Sequence, residues 1–116
     1  MRALIIEPQV FTSFMIEDVL QEAGFTSIAT ATTEEEAVAA AEADPPDLVT
    51  SAVQLQPGSG ICAVERIRST RDVPVLFITQ EVSQVAARAP DLPVVKKPFL
   101  KTHLAPAVAD ATRRSC

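Results

Sequence analysis

Short apolar runs recur along the chain, separated by longer segments in which apolar residues have helical spacing. A strand covered by helices on both faces is a nearly continuous apolar run, whereas an amphipathic helix repeats its apolar residues every three or four positions. The clearest run, at residues 73–78, has Pro74 near its start, where a missing N–H is tolerated. The pattern predicts five strands, at residues 3–6, 27–30, 48–53, 73–78 and 94–95.

The intervening segments predict five helices. Gly24 ends the first, since glycine readily adopts the conformation that closes a helix. Thr33 with Glu36 three positions later forms a capping box that starts the second, which ends before Pro45. The last helix is interrupted by Pro106, where we expect a bend or a restart. The remaining helices are predicted at residues 61–70, 83–89 and 100–112, and the apolar positions of the first are Phe11, Phe14, Met15, Val19 and Leu20.

This alternation predicts the α/β class: a doubly wound five-stranded parallel sheet with helices on both faces, in one domain spanning residues 1–116. The fourth helix is short, with room for about two turns before Pro90. We expect no output domain after the last helix. Sites in such sheets lie beyond the carboxyl ends of the strands. The residues at these ends are Glu7, Pro8, Ala52, Thr79 and Lys97.

The bulk composition narrows the function classes. A net charge of -5 and a pI near 4.8 disfavour direct binding to nucleic acid or to an anionic membrane. The sequence lacks a long apolar span and a secretory signal, so we expect a cytoplasmic protein. Cys62 and Cys116 have no metal-ligand spacing and are interpreted as free thiols. His103 has no ligand partners at suitable spacing, which argues against a metal site there.

The motifs at the strand ends, taken in order, resemble the receiver domains of response regulators, the family of chemotaxis-type signalling proteins. The resemblance covers residues 3–108, and it implies the strand order 2-1-3-4-5 and a role in bacterial two-component phosphorelay signalling. It rests on Ile5-Ile6-Glu7, Pro46-Asp47-Leu48-Val49, Leu55 with Gly58-Ser59-Gly60, Phe77-Ile78-Thr79 and Lys97-Pro98-Phe99.

The resemblance also implies a chemistry. In the family, a carboxylate after strand 3 accepts a phosphoryl group, and acidic residues after strand 1 hold Mg²⁺, which offsets the repulsion between the reacting oxygens. A hydroxyl after strand 4 and a lysine after strand 5 bind the phosphoryl oxygens, and their movement changes the outer surface. The matching positions here are Thr79 and Lys97.

The chain departs from this pattern at the reacting position. Ala52 occupies the place of the acceptor, and a methyl group neither attacks phosphorus nor binds a metal. Pro8 replaces the usual second acidic residue, which leaves Glu7 as the one matching carboxylate. Mg²⁺ requires oxygen ligands in an octahedral arrangement. We therefore expect weak or absent Mg²⁺ binding, no metal site, no cofactor and no enzymatic activity.

Three other residues are candidate phosphate acceptors. Thr50 should share a sheet face with Ala52 but lies deeper in the core, and Ser51 should point to the opposite face. Asp47 lies at the start of strand 3, at the far edge of the sheet, and is better explained as a turn or strand-entry residue. None of the three is well placed.

Thr79 and Lys97 admit two interpretations. They form a remnant pocket for an anion or a partner's carboxylate, or they are structural supports. An unpaired, partly buried Lys97 would be costly, since breaking a buried ion pair costs roughly 3 to 5 kcal/mol. We therefore hypothesise a direct ion pair between Glu7 and Lys97 across the Ala52 position, which would fix the domain in one state.

The resemblance also suggests how partners are bound. Helix 4 is about one turn shorter than the family pattern, and Val94 stands where many relatives have an aromatic residue that couples the site to the surface. A basic cluster of Lys96, Lys97, Lys101 and His103 lies nearby. The face of helix 4, strand 5 and helix 5 is the predicted partner surface, and a homodimer through this face is a further possibility. Its residues are Val82, Val85, Val94, Lys96 and Lys101.

Together these observations predict a signalling module that binds a histidine kinase, a phosphotransfer protein or another receiver independently of phosphorylation. Two alternatives remain open. One is residual phosphotransfer through a non-standard residue. The other is a small-molecule sensor that uses the crevice at the strand ends, although the Pro8-Gln9-Val10-Phe11 turn lacks a phosphate-binding cradle.

Overall fold

The computed structural model describes the backbone of residues 1–114 and the side chains of residues 1–113. Strands and helices alternate through five repeats, as the apolar pattern predicts. The elements are β1 (Arg2–Ile6), α1 (Val10–Glu22), β2 (Ser27–Ala31), α2 (Glu34–Ala43), β3 (Leu48–Ser51), α3 (Gly60–Arg68), β4 (Val75–Thr79), α4 (Val82–Arg88), β5 (Val94–Lys96) and α5 (Lys101–Arg114).

The strands form one parallel sheet in the order β2-β1-β3-β4-β5, which confirms the predicted fold. Ile6 on β1 is in register with Ser51 on β3, which is in turn in register with Phe77 on β4. The central strands therefore end at the same edge of the sheet. The strand order changes direction there, and this is where a doubly wound fold places its site.

Alternate residues of each strand enter two separate cores. On one side, Ile6, Val49 and Phe77 pack with apolar residues of α2 and α3. On the other side, residues such as Ile5 and Leu76 pack with α1 and α5. Burial on both faces explains why the central strands are continuous apolar runs rather than alternating ones.

The buried face of α1 contains only some of the apolar positions that predict the helix. Ser13, Ile16, Val19 and Leu20 face the core, whereas Phe11 and Phe14 are 85% and 58% exposed. Both sets of residues have helical spacing, so the periodicity predicts the helix correctly but does not decide which side of it is buried. Phe11 and Phe14 therefore lie on the solvent side of the helix.

The helix starts follow local capping chemistry. Thr33 Oγ1 accepts a hydrogen bond from Glu36 N at 3.1 Å, as the capping box predicts, while the Glu36 carboxylate accepts from Thr32 N at 2.9 Å. Ser59 caps α3 by accepting from Ile61 N and Cys62 N. Ser59 belongs to the Gly58-Ser59-Gly60 motif of the family resemblance, and the sequence does not reveal its capping role.

Strand boundaries shift slightly from the predicted ones. β3 ends at Ser51 rather than at residue 53, and β4 begins at Val75 because Pro74 cannot donate to the ladder. Helix α4 has seven residues, in agreement with the predicted shortening. Helix α5 continues through Pro106 without ending, so the restart that the proline suggested is absent from the described chain.

Cys62 is a half-buried free thiol on α3. The Arg88 guanidinium of α4 lies 3.8 Å from its Sγ atom, a cationic neighbour that the local sequence does not reveal. Cys116 lies outside the described residues. None of the described helices combines the length and apolar character needed to cross a membrane.

Candidate functional site

A cavity of about 380 Å³ opens at the carboxyl edge of the sheet. All five residues that the sequence placed at the strand ends line it: Glu7, Pro8, Ala52, Thr79 and Lys97. The sequence pattern does not single out the other lining residues, although they directly follow the same strands or lie in the loop after β3. These are Gln9, Val53, Gln54, Gln56, Gln80 and Glu81.

Glu7 and Lys97 form a direct ion pair at this edge. The Lys97 ammonium donates to Glu7 Oε1 at 2.8 Å, and the side chains are only 17% and 1% exposed, respectively. The second oxygen, Glu7 Oε2, accepts from the backbone N–H of Gln9 at 3.1 Å. This geometry confirms the hypothesised pair and gives both carboxylate oxygens a partner within the protein.

Ala52 is held at the base of the cavity. Its N–H donates to Ile6 O at 2.8 Å, which extends the β1–β3 pairing by one residue, and its methyl group is buried. It packs in the same apolar cluster as Val53, on the α2 and α3 side of the sheet, and not on the Thr50 side as alternation predicted. The regular alternation stops here because β3 has already ended at Ser51.

Thr79 contributes to local structure rather than to an open anion site. Its Oγ1 atom accepts from Glu81 N at 2.9 Å, which shapes the turn before α4. Its carbonyl accepts from Lys97 N at 3.0 Å and so continues the β4–β5 pairing. Since Thr79 and Lys97 both have internal partners, the geometry favours the interpretation in which they are structural supports.

The lining residues do not fit an Mg²⁺ site of the kind that the resemblance implies. Glu7 is already engaged by Lys97 and by a backbone N–H, and positions 8 and 52 provide no side-chain oxygen. Glu81, at the mouth, accepts from Gln84 Nε2 at 3.2 Å. Within residues 1–113, no three His, Cys, Asp or Glu side chains lie together as metal ligands. A divalent cation would have to displace a lysine from its carboxylate.

The other candidate acceptors also have structural positions. Thr50 is fully buried between Ile5 and Leu76, and its Oγ1 atom has no hydrogen-bond partner among the described residues. The Ser51 hydroxyl is buried and donates to Ala52 O at 2.8 Å. Asp47 accepts from Arg2 N at 2.7 Å, at the opposite edge of the sheet, as expected of a strand-entry residue. None of the three lines the cavity.

The loop between β3 and α3 forms one wall of the cavity, and Glu34 of α2 binds this loop through hydrogen bonds. Glu34 Oε1 accepts from Ser59 N at 3.1 Å, and Glu34 Oε2 accepts from Arg66 at 3.0 Å. These contacts, first the backbone donor and then the guanidinium, lower the pKa of the Glu34 carboxyl below its usual value. Arg66, which is on α3, also pairs with Glu35, the neighbour of Glu34 on α2. The acidic start of α2 therefore supports this wall.

The residues of the predicted partner surface do not form one exposed face in the structure. Val85 is buried in the core and is unavailable to a partner, so its assignment to a surface was wrong. Val82 and Val94 are partly buried, and Lys96 is exposed. Lys101 pairs with Asp18 of α1 at 2.9 Å, which places it at the edge between α1 and α5. Two of the three lysines of the predicted basic cluster therefore have acidic partners, Lys97 with Glu7 and Lys101 with Asp18. Binding and dimerisation through this face stay predictions.

A second surface is more apolar. Val10, Phe11 and Phe14 of α1 and Leu100, just before α5, are each more than half exposed. Phe11, Phe14 and Asp18 lie on one side of α1, because residues three or four apart are neighbours on a helix. The Lys101–Asp18 pair brings the start of α5 to this helix. We call Val10, Phe11, Phe14 and Leu100 the α1 apolar face.

Comparison with known proteins gives a consistent result. The model of the response regulator receiver domain matches residues 3–109 of the chain. The transcriptional regulatory protein PdtaR of Mycobacterium tuberculosis is 31% identical over 117 residues, which cover 97% of this chain and 57% of PdtaR. The chain thus spans little more than half the length of this relative.

Two PhyR proteins are also similar. The phyllosphere-induced regulator PhyR of Methylorubrum extorquens is 32% identical over 112 residues, covering 93% of this chain and 42% of PhyR. The solution structure of the receiver domain of the Erythrobacter litoralis response regulator PhyR superposes with a TM-score of 0.86 at 34% identity, covering 95% of this chain and 88% of that domain. The likeness therefore extends from sequence to fold.

Proposed function

The chain belongs to the response regulator receiver domain family, and we propose that it signals by binding other signalling proteins without phosphorylation at position 52. The observation that carries the proposal is the direct Glu7–Lys97 ion pair beside Ala52. In this arrangement the lysine that would bind a phosphoryl group is bound to a carboxylate instead. We also propose that the protein uses no cofactor, has no enzymatic activity and is located in the cytoplasm, as the sequence predicts.

The proposed mechanism depends on a permanent arrangement rather than on a switch. A phosphoryl group would need a nucleophile, a metal to offset charge and free donors for its oxygens. Ala52 supplies no nucleophile, and the carboxylate and the lysine satisfy one another. These observations support a domain whose binding surface is held in one state, and they count against both residual phosphotransfer and a phosphate-type ligand in the crevice.

Phosphorylation is tested directly by incubating the natural protein and the Ala52→Asp variant with acetyl phosphate and excess Mg²⁺. Intact-protein mass spectrometry should show no phosphoryl adduct on the natural protein, because no described acidic or hydroxyl group has the place of the acceptor. Ala52→Asp supplies a carboxylate that can act both as the nucleophile and as a second oxygen ligand for Mg²⁺ beside Glu7, so this variant should gain one phosphoryl group. An adduct on the natural protein would overturn the proposal and would identify a non-standard acceptor.

We further propose that partners bind the α1 apolar face. Exposed aromatic residues are costly in water, and clustered apolar residues on a surface mark interaction sites. The same helix carries Glu17 and Glu22, so a fitting partner has an apolar helical stripe with basic residues beside it. Of the predicted partners, a histidine kinase or a phosphotransfer protein is the class with exposed helices. We favour such a partner over a second copy of this chain, because two copies with a net charge of -5 each would repel one another.

This docking proposal is tested with Phe14→Ser. The substitution removes an exposed ring, so the free energy of unfolding should change by less than about 0.5 kcal/mol. Binding to a kinase dimerisation domain or phosphotransfer protein from the same genome should weaken by roughly tenfold or more, as expected for an aromatic anchor. Lys96→Ala on the other face is the matched control for calorimetric titration. If only Lys96→Ala weakens binding, the predicted face of α4, β5 and α5 is the docking site.

A further inference from the structure

We propose that Glu7 and Lys97 are positioning residues for docking: their ion pair holds together the two chain segments that build the α1 apolar face. The inference rests on the docking role proposed for that face. It gives the former phosphorylation site a present function, in which a static ion pair fixes the binding surface. The pair thus determines partner affinity without touching the partner.

The first segment starts at Glu7. One carboxylate oxygen binds Lys97, and the other accepts from Gln9 N, the residue that precedes α1. Gln9 is the N-cap of α1; its side chain accepts from the Thr12 hydroxyl but caps no backbone N–H of the helix. Glu7 therefore orders the turn from which Val10 and Phe11 project. A change in its position alters the direction in which the first turn of α1 leaves the sheet.

The second segment starts at Lys97. Its backbone N–H is fixed to Thr79 O, and its ammonium group is fixed to Glu7. Three residues later the exposed Leu100 precedes α5, which begins at Lys101. The ion pair thus links the loop that leads into α1 directly to the loop that leads into α5. Its two residues are 90 positions apart in sequence.

A second ion pair, which joins α1 and α5 themselves, provides a comparison within the molecule. Lys101 and Asp18 pair at 2.9 Å, but their side chains are about half exposed. Exposed pairs are screened by water and salt and contribute little. The Glu7–Lys97 pair is largely shielded from solvent, so it persists where the exposed pair exchanges with water. Of these two bridges, the buried one is assigned the positioning role.

The experiment measures the geometry of the face without a partner. Cys62 and Cys116 are first replaced by serine, and nitroxide labels are attached at Phe11→Cys and Thr102→Cys, both exposed positions. Pulsed electron resonance then gives the distance distribution between the starts of α1 and α5. The distribution is compared in the labelled parent, in Glu7→Leu with Lys97→Met, in Glu7→Gln, and in Asp18→Asn with Lys101→Met as the matched control.

A single narrow distance is expected in the parent and in the control that lacks the exposed pair. The Glu7→Leu and Lys97→Met double variant should lose this narrow distance, and Glu7→Gln, which keeps an acceptor for Gln9 N, should broaden it less. An unchanged distance in a folded double variant overturns the positioning role while leaving the docking proposal intact. If the double variant does not fold, Glu7→Gln decides alone: broadening supports the role and an unchanged distance overturns it. Failure of the docking proposal appears separately, as binding that does not respond to Phe14→Ser.

Discussion

Replacing Gly60 with alanine is expected to lower the free energy of unfolding by about 4 kcal/mol or more, or to prevent folding. A Cβ atom at this position would lie 1.6 Å from Ala52 O and 2.6 Å from Ser51 Oγ. The obstructing atom is backbone, so a side-chain rotation cannot relieve the overlap. Gly60 N also donates to Val53 O at 2.7 Å, and a shift of α3 would strain that hydrogen bond.

Gly24→Ala is the matched control, since it isolates the backbone cost of a glycine replacement from the steric cost. Gly24 has φ +101°, which disfavours a side chain, but the nearest atom to a new Cβ is 3.9 Å away. The loss should be only about 1 to 2 kcal/mol. Urea unfolding of both variants beside the natural protein gives the comparison. Equal losses would mean that α3 can move away from Ala52, against the close packing described for this site.

The close approach at Gly60 bears on how the site is built. In the sequence, Gly58-Ser59-Gly60 is part of the family resemblance, and the pattern assigns no separate task to each residue. In the structure Gly58 has φ +103° and packs against Glu34, Ser59 caps α3, and Gly60 allows α3 to meet the end of β3. These constraints are steric and arise from tertiary contacts, so local pattern alone could not distinguish them.

The sheet and the composition of its carboxyl edge were predictable because both follow from general rules. Strands buried on both faces are continuous apolar runs, and parallel strands bring their carboxyl ends to one edge. This places Glu7, Ala52, Thr79 and Lys97 together without knowledge of side-chain geometry. The Glu7–Lys97 pair was also predictable, since a partly buried lysine beside a single carboxylate requires that partner.

The surfaces were less predictable. Apolar spacing on α1 fits two overlapping faces, and only packing against the sheet selects the face with Ile16 and Leu20. Val85 was placed on a surface, but the short α4 turns it into the core. Lys101 was grouped with Lys96, yet it points to Asp18 of α1. In each case the deciding contact joins residues far apart in sequence, which periodicity does not detect.

Replacing Lys97 with methionine is expected to lower the free energy of unfolding by about 3 to 5 kcal/mol. The substitution keeps the length and apolar stem of the side chain but leaves the Glu7 carboxylate, only 1% exposed, without its cation. Gln9 N remains as a donor, and one backbone hydrogen bond does not replace a full charge. Glu7→Leu should cost less, because the lysine side chain is 17% exposed and its ammonium group can turn toward water.

Combining Glu7→Leu with Lys97→Met separates the cost of a broken pair from the net contribution of the intact pair. A well-packed apolar replacement of a buried ion pair is often neutral or stabilising by about 1 to 4 kcal/mol, so the double variant should be far more stable than Lys97→Met alone. Urea unfolding of all four proteins gives the coupling free energy of the cycle. Additive losses would mean that the two side chains do not interact in solution, contradicting the 2.8 Å contact. A double variant as stable as the natural protein would instead indicate that the pair is not needed for folding, which leaves the geometry of the α1 apolar face as the property that depends on it.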